Sequence, residues 1–236
     1  MLIIGHRGAK GLSPENSLES LQAGYDAGAD ILEFDVRHTK DDIVVVIHDF
    51  HLIRTHQKVA AVHSMTYADL QRLVGDKQVS TLDEVLQRYF GKIMLNIEVK
   101  SRGTGTLVAK LLKNRYVKKA ADWDNVFISS FSGAELVKIR NYSKRVNLAM
   151  LHYDNPFIFI AYQRKLRLTA VGFHRLYINR LALEIARKLK LFTYVYTVNR
   201  PGAIDLIETQ KIDGIVTDYP DLIRKHVSLH PEISND

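Results

Sequence analysis

Eight short apolar runs rich in β-branched residues recur along this 236-residue chain, at 2–5, 30–36, 93–99, 126–130, 146–151, 169–173, 192–198 and 214–217, with helix-like stretches between them. A sheet with one wet face alternates apolar and polar residues, so nearly continuous apolar runs mark parallel strands covered on both faces. Eight such strand–helix units in series predict closure into a (β/α)8 TIM barrel, with a doubly wound open sheet as the competing arrangement. The helix signals are local. Asn16-Ser17-Leu18-Glu19 reads as a capping box opening a helix that packs through Leu18, Leu21 and Tyr25 and stops at Gly28, and Leu181, Ile185 and Leu189 repeat that spacing. One irregularity stands out. Residues 39–49 place a turn and a further strand directly after Val36, with no room for a crossover helix, which predicts a short extra hairpin strand after the second barrel strand, followed by helices around 67–73 and 81–89.

With 46% hydrophobic residues, the chain can bury one substantial core, and residues 1–229 read as a single domain with a short tail at 230–236. There are no cysteines, which excludes disulfides, thiolate zinc sites and a cysteine nucleophile, so any metal must bind oxygen or imidazole. The N-terminus enters an apolar strand pattern at once, without the features of a secretory signal, and this predicts a cytoplasmic protein. The longest apolar stretch, 156–162, falls far short of the roughly 20 residues a spanning helix needs. A formal charge of +7 favours anionic partners. Lys and Arg are dispersed and no nucleic-acid-binding motif occurs, so a nucleic-acid partner is not expected. Phe157, Ile158, Phe159 and Tyr162 offer a weak membrane-surface contact, against which stands the simpler reading of an ordinary helix packed on a barrel.

Glu33 and Asp35 lie two apart in an apolar strand, so their side chains leave one face, which in a closed barrel is the interior. Two carboxylates at low dielectric repel unless a cation neutralises them. Glu98 and Lys100 repeat this spacing at the end of the third run, adding a third oxygen ligand and a fixed positive charge. An all-oxygen shell suits a hard divalent cation, Mg²⁺ or Ca²⁺. The plain alternative is an edge strand whose charges face water, but Ile31, Leu32, Phe34 and Val36 read as buried on both faces. His6-Arg7 follows the first run and His48-Asp49 follows the extra strand. Parallel barrels gather their sites at the C-terminal ends of strands, so His6, Glu33, Asp35, His48 and Glu98 are expected on one rim. Two imidazoles can supply the base and acid that phosphodiester cleavage needs, and Arg7 offers a planar fork for phosphate oxygens. The other eight histidines lack a comparable carboxylate context.

These residues fall within a longer series: His6-Arg7-Gly8, Pro14-Glu15-Asn16-Ser17, Gly28-Ala29-Asp30, Glu33-Phe34-Asp35-Val36, Thr39-Lys40-Asp41, His48-Asp49 and Arg54-Thr55. Thr81-Leu82-Asp83-Glu84, Ile97-Glu98-Val99-Lys100, Ser129-Ser130-Phe131, Tyr196-Thr197-Val198-Asn199 and the segment 213–220 continue it. The series, in order over nearly the full chain, resembles the glycerophosphodiester phosphodiesterase family. The resemblance implies a TIM barrel and metal-dependent hydrolysis of a small glycerophosphodiester to glycerol 3-phosphate and an alcohol. His6 and His48 would be acid and base, Glu33, Asp35 and Glu98 the metal ligands, Arg7 and Lys100 phosphate contacts, and Asn16, Phe131 and Tyr196 neighbours of the substrate. Three departures are mild: Ser17 for Thr, Asp42 for Gly, and Tyr196 where a tryptophan is common, which bears on head-group preference. The rivals are a lysophospholipase D-type or phosphoinositide-lyase-like enzyme on a lipid substrate, the latter class sometimes metal-free, and a catalytically dead scaffold.

Overall fold

The structure, a computed structural model, describes residues 1–229; the tail at 230–236 lies outside the described residues. Its strands are β1 (Leu2–Gly5), β2 (Ile31–His38), β3 (Val44–Val46), β4 (Met94–Val99), β5 (Val126–Ser130), β6 (Asn147–Leu151), β7 (Ala170–His174), β8 (Phe192–Tyr196) and β9 (Gly214–Thr217). β1 pairs in parallel with both β9 and β2, and the remaining neighbours run β9-β8-β7-β6-β5-β4-β2, so eight parallel strands close on themselves. The competing open sheet is thereby excluded. β3 pairs outside the ring, antiparallel to β2, as the hairpin strand was expected to do.

Strand alternation sorts side chains into two compartments. Leu32, Phe34 and Val36 of β2, and Leu95, Ile97 and Val99 of β4, join the large apolar layer between strands and helices. Ile31 joins Ile4, Phe127, Ala149, Leu151, Ala170, Tyr194 and Val216 in a separate cluster inside the ring. Interior packing is tight: a Cβ on Gly172 would come within 2.8 Å of the Tyr194 ring, so that position takes only hydrogen. A third cluster, including Val45, Leu52, Val62 and Leu70, holds the segment that follows the hairpin against the barrel wall.

Two helices differ from the sequence reading. Leu18–Asp26 is capped by Ser17, whose Oγ accepts the Ser20 N–H at 3.0 Å, not by a box from Asn16 to Glu19. It buries Ser20, Leu21 and Gly24 while Tyr25 is 42% exposed. Arg180–Lys188 buries Ala182, Leu183 and Ala186 and leaves Leu181 and Leu189 outside. In both, close approach to the barrel selects small residues over the larger apolar row. A Cβ on Gly24 would come within 2.7 Å of the Gly8 carbonyl oxygen, and Gly8 itself has φ +84°. The helix Ile158–Leu166 supports the packed reading of that segment, because Phe159 is fully buried and Phe157, Ile158 and Tyr162 pack on the core.

Candidate active site at the barrel mouth

β2 and β4 pair in register, Glu33 opposite Asn96 and Asp35 opposite Glu98. Interior alternation then brings Glu33, Asp35 and Glu98 together, each offering an oxygen within 4.8 Å of the others. Glu33 and Asp35 are 3% and 1% exposed. Burial, followed by Asp35 and Glu98, pushes the Glu33 carboxyl well above the ordinary range. Burial also opposes ionisation of Asp35, but Lys100 and Arg7 outweigh it and draw that group down to about 2. Glu98 rises to about 7, because burial and Asp35 prevail over Lys100. Lys100 Nζ sits 3.2 Å from Asp35 Oδ1 and also donates to Glu98, while Arg7 Nε lies 3.3 Å from Asp35 Oδ2. Glu33 Oε2 accepts the Arg7 backbone N–H at 2.8 Å, whereas Glu33 Oε1 is buried with no hydrogen-bond partner. A buried carboxylate oxygen without a donor, facing two further acids, fits an oxygen-seeking cation and is costly without one.

His6 leaves β1 at the rim, with its N–H on the Thr217 carbonyl at 2.8 Å. Its Nδ1 lies 2.5 Å from Asp218 Oδ1, and Asn199 Nδ2 donates to Asp218 Oδ2 at 2.7 Å. His6, Glu33, Glu98 and Tyr196 line one cavity of about 40 Å³. His48 reaches the rim by a different route. Because β2 extends to His38 and β3 doubles back along it, the Ile47 N–H meets the Asp35 carbonyl at 2.9 Å, and His48 arrives level with the acids. His48 Nδ1 pairs with Asp49 Oδ1 at 2.7 Å. Burial lowers both imidazoles below their ordinary value, against the pull of Asp218 on one and Asp35 on the other. A carboxylate on Nδ1 fixes the tautomer, so each ring presents Nε2 outward as a proton acceptor or, once protonated, a donor.

Arg7 and Asn16 hold left-handed backbone angles, φ 50° and 59°, which costs about 1–3 kcal/mol each for a non-glycine residue. Both are pinned. Asn16 donates to Asp35 Oδ2 at 2.9 Å and accepts the Asp35 N–H at 3.0 Å, so it clamps an acid from within the wall. Arg7 NH1 donates to Glu15 at 2.6 Å, Arg54 NH1 and NH2 donate to the same carboxylate, and Arg54 Nε donates to Asp49 at 2.7 Å. One chain of charged hydrogen bonds thus joins Arg7 to His48. Asp218, Asn199, Glu15 and Arg54 fall within the motifs that carry the resemblance but were assigned no role there. Asp218 carried a signal, since it directly follows the last strand, where barrels build their sites; Arg54 lies in the single-turn helix Ile53–His56, too short to show a periodicity.

Phe131 and Tyr196 sit across the mouth, ring centroids 6.0 Å apart, with Lys100 Nζ 5.4 Å from the Phe131 centroid. The Tyr196 hydroxyl is engaged by the His152 carbonyl at 2.5 Å, so this tyrosine offers the pocket a ring face, as a tryptophan would. Beneath it His152 is 3% exposed, its Nε2 3.4 Å from the His174 N–H and its Nδ1 buried without a partner. Burial, then His174, lowers its pKa from 6.5 to about 4. The unfolded chain therefore takes up this proton first, and stability is lost as pH falls from 6.5 toward 4. We expect His152 to account for about 2–3 kcal/mol of that loss. Urea unfolding of wild type and His152→Gln at pH 7 and pH 4.5 checks it: the variant's pH-dependent loss should be smaller by that amount.

Comparison with known proteins follows the same lines. A glycerophosphodiester phosphodiesterase of Bacillus subtilis (strain 168) is 30% identical over 252 residues, covering 95% of this chain and 86% of that protein. One from Caldanaerobacter subterraneus subsp. tengcongensis is 28% identical over 243 residues, covering 95% and 98%. The crystal structure of glycerophosphodiester phosphodiesterase from Thermotoga maritima superposes with a TM-score of 0.82 at 28% identity, covering 95% of this chain and 97% of that one. The model of the glycerophosphoryl diester phosphodiesterase family matches residues 6–222, and the chain belongs to that family.

Proposed function

We propose that this protein hydrolyses glycerophosphodiesters to glycerol 3-phosphate and an alcohol, using a divalent cation, Mg²⁺ or Ca²⁺, held by Glu33, Asp35 and Glu98. The observation that carries this reading is the buried trio of acids, with one Glu33 oxygen unpartnered, beside two imidazoles each backed by a carboxylate. When bound, such a cation supplies Lewis-acid stabilisation of charge on a nonbridging phosphate oxygen. Arg7 and Lys100 flank the acids and bind the remaining phosphate charge. One imidazole accepts the proton of the attacking water at Nε2 as its oxygen bonds to phosphorus. The other delivers a proton to the alcohol oxygen as that P–O bond breaks. Asp218 and Asp49 hold the rings in the required tautomer, and Asn16 holds Asp35. The three clustered acids favour a metal-dependent enzyme over a metal-free lyase, because carboxylates buried this close repel one another without a cation.

The test is product analysis. Incubation with glycerophosphocholine and glycerophosphoethanolamine should release glycerol 3-phosphate and the free amino alcohol in equal amounts. Release of glycerol with a phosphorylated amino alcohol, or no turnover with either cation, contradicts it. The bridge through Arg54 has its own consequence. Arg54→Gln leaves Glu15 held by Arg7 alone and Asp49 by His48 alone, and should lower kcat/KM by roughly 10- to 100-fold, the range for groups that orient a reacting residue. Arg54 is about half exposed, so thermal stability should change little. Steady-state kinetics beside a melting curve separates the two, and unchanged kinetics would remove Arg54 from the account.

A further inference from the structure

β2 sends one more polar side chain toward the mouth. The alternation that turns Glu33 and Asp35 inward places Arg37 on the same face, one step nearer the rim. Its Nε donates to the His48 carbonyl at 2.8 Å and its NH1 to Ser101 Oγ at 2.7 Å, so one guanidinium joins segments 11 and 64 positions away. Both partners bear on the site. Ser101 follows Lys100, whose backbone N–H meets the Val36 carbonyl at 3.1 Å and whose Nζ stands 3.2 Å from Asp35 Oδ1. His48 follows Ile47, whose N–H meets the Asp35 carbonyl at 2.9 Å. Because β3 ends at Val46, the His48 carbonyl lies past the strand ladder and is held by a side chain instead. The guanidinium carbon also lies 5.8 Å from the ring centroid of Phe50, two residues further along the same segment.

These contacts divide the work of holding His48. Asp49 fixes the tautomer of the ring through Nδ1, while the bond from Ile47 before it and the bond from Arg37 after it fix the backbone on either side. The backbone decides where the ring stands over the acids, and a misplacement of about 1 Å can cost about 10²-fold in rate. Arginine suits this task, because its rigid planar fork serves two acceptors at once, whereas a lysine has one ammonium on a flexible stem. Resting on the proposed phosphodiesterase reading, we propose that Arg37 is a positioning residue for that reaction: it sets His48 over the acids and ties it to the loop that carries Lys100, so that proton transfer and phosphate binding share one frame. Two of its N–H groups are committed to the protein, so Arg37 acts on the substrate through His48 and not as a phosphate ligand.

Steady-state kinetics on glycerophosphocholine with Mg²⁺ present tests the role. Arg37→Met keeps an apolar stem and loses the fork, and should lower kcat by about 10- to 100-fold while KM stays within about twofold. Arg37→Lys restores the charge without the fork and should recover little of the loss. In a His48→Ala background, Arg37→Met should cost nothing further in the residual turnover, since its effect runs through the missing imidazole. A loss of full size in that background, or a raised KM that lysine restores, would make Arg37 a direct contact for the phosphate charge and overturn the proposal. Amide exchange reads the same clamp without turnover. In Arg37→Met the Ile47 N–H should exchange at least about 10-fold faster, the scale of one lost hydrogen bond to a charged group, while amides of β6–β8 keep wild-type rates. Unchanged exchange at Ile47 would overturn the clamp whatever the kinetics. Faster exchange in a protein whose wild type releases no glycerol 3-phosphate would uphold the hold on His48 and fail the phosphodiesterase reading instead.

Discussion

His6→Ala and His48→Ala are each expected to lower kcat/KM by about 10²- to 10⁴-fold, the range for loss of a general acid or base. The fold should survive both changes, because each ring sits on the rim, outside the two apolar layers. The double variant should be little worse than the weaker single one, since acid and base act in a single displacement and either loss disables it. The two positions should differ in how their partners respond. Asp218→Asn leaves one oxygen, for which the Asn199 amide competes, and sets an NH2 against His6 Nδ1, so the ring loses its tautomer and kcat falls; Asp49→Asn leaves His48 loosely held and weakens the tie to Arg54, which stays on Glu15. Assays of glycerol 3-phosphate release from glycerophosphocholine decide the matter, and near-normal turnover in either alanine variant would contradict the assigned roles.

Glu33→Gln is expected to abolish activity and, unusually for a buried change, to leave the metal-free protein as stable as wild type or more so. The amide keeps an oxygen for the Arg7 N–H, which Glu33 accepts at 2.8 Å, and cannot take on the charge that burial, Asp35 and Glu98 already disfavour there. What the variant loses is the gain from a bound ion. A ligand at 100 times its dissociation constant stabilises by about 2.7 kcal/mol, which raises the melting midpoint of a domain this size by roughly 5–10 °C. Wild type should show that rise on adding Mg²⁺ or Ca²⁺, and Glu33→Gln should show little of it. Since burial pushes Glu33 and Glu98 upward, an arriving cation displaces protons and its affinity should increase with pH. Melting curves with and without metal at two pH values read both effects, and an unchanged metal response in the variant would remove Glu33 from the shell.

The barrel was legible because its signal is repeated. Each strand has apolar residues on both faces, and the one place where the interior turns acidic, at Glu33, Asp35 and Glu98, breaks that rule three times on one side. The hairpin was legible as well, from the absence of room for a helix after Val36. Helix faces were less so. Counting large apolar residues pointed to Leu181 and Tyr25, whereas packing against a curved strand layer favours whichever face is thinnest, here Ala182 and Ala186 or Ser20 and Gly24. The groups that hold the histidines were hidden for another reason: Asp218 and His6 are 212 positions apart, and only closure of β1 against β9 makes them neighbours. Asn16 read as a helix cap because asparagine does both jobs; the hydrogen bonds to Asp35 decide between them.

The most direct measurement is glycerol 3-phosphate release by enzyme stripped of divalent ions with a chelator and then resupplied, in wild type and in Glu98→Gln. Turnover should vanish on stripping, return with Mg²⁺ or Ca²⁺ in wild type, and stay absent in the variant. Undiminished turnover in the presence of chelator would mean that the buried acids serve some other purpose, and the catalytic reading built on them would fall.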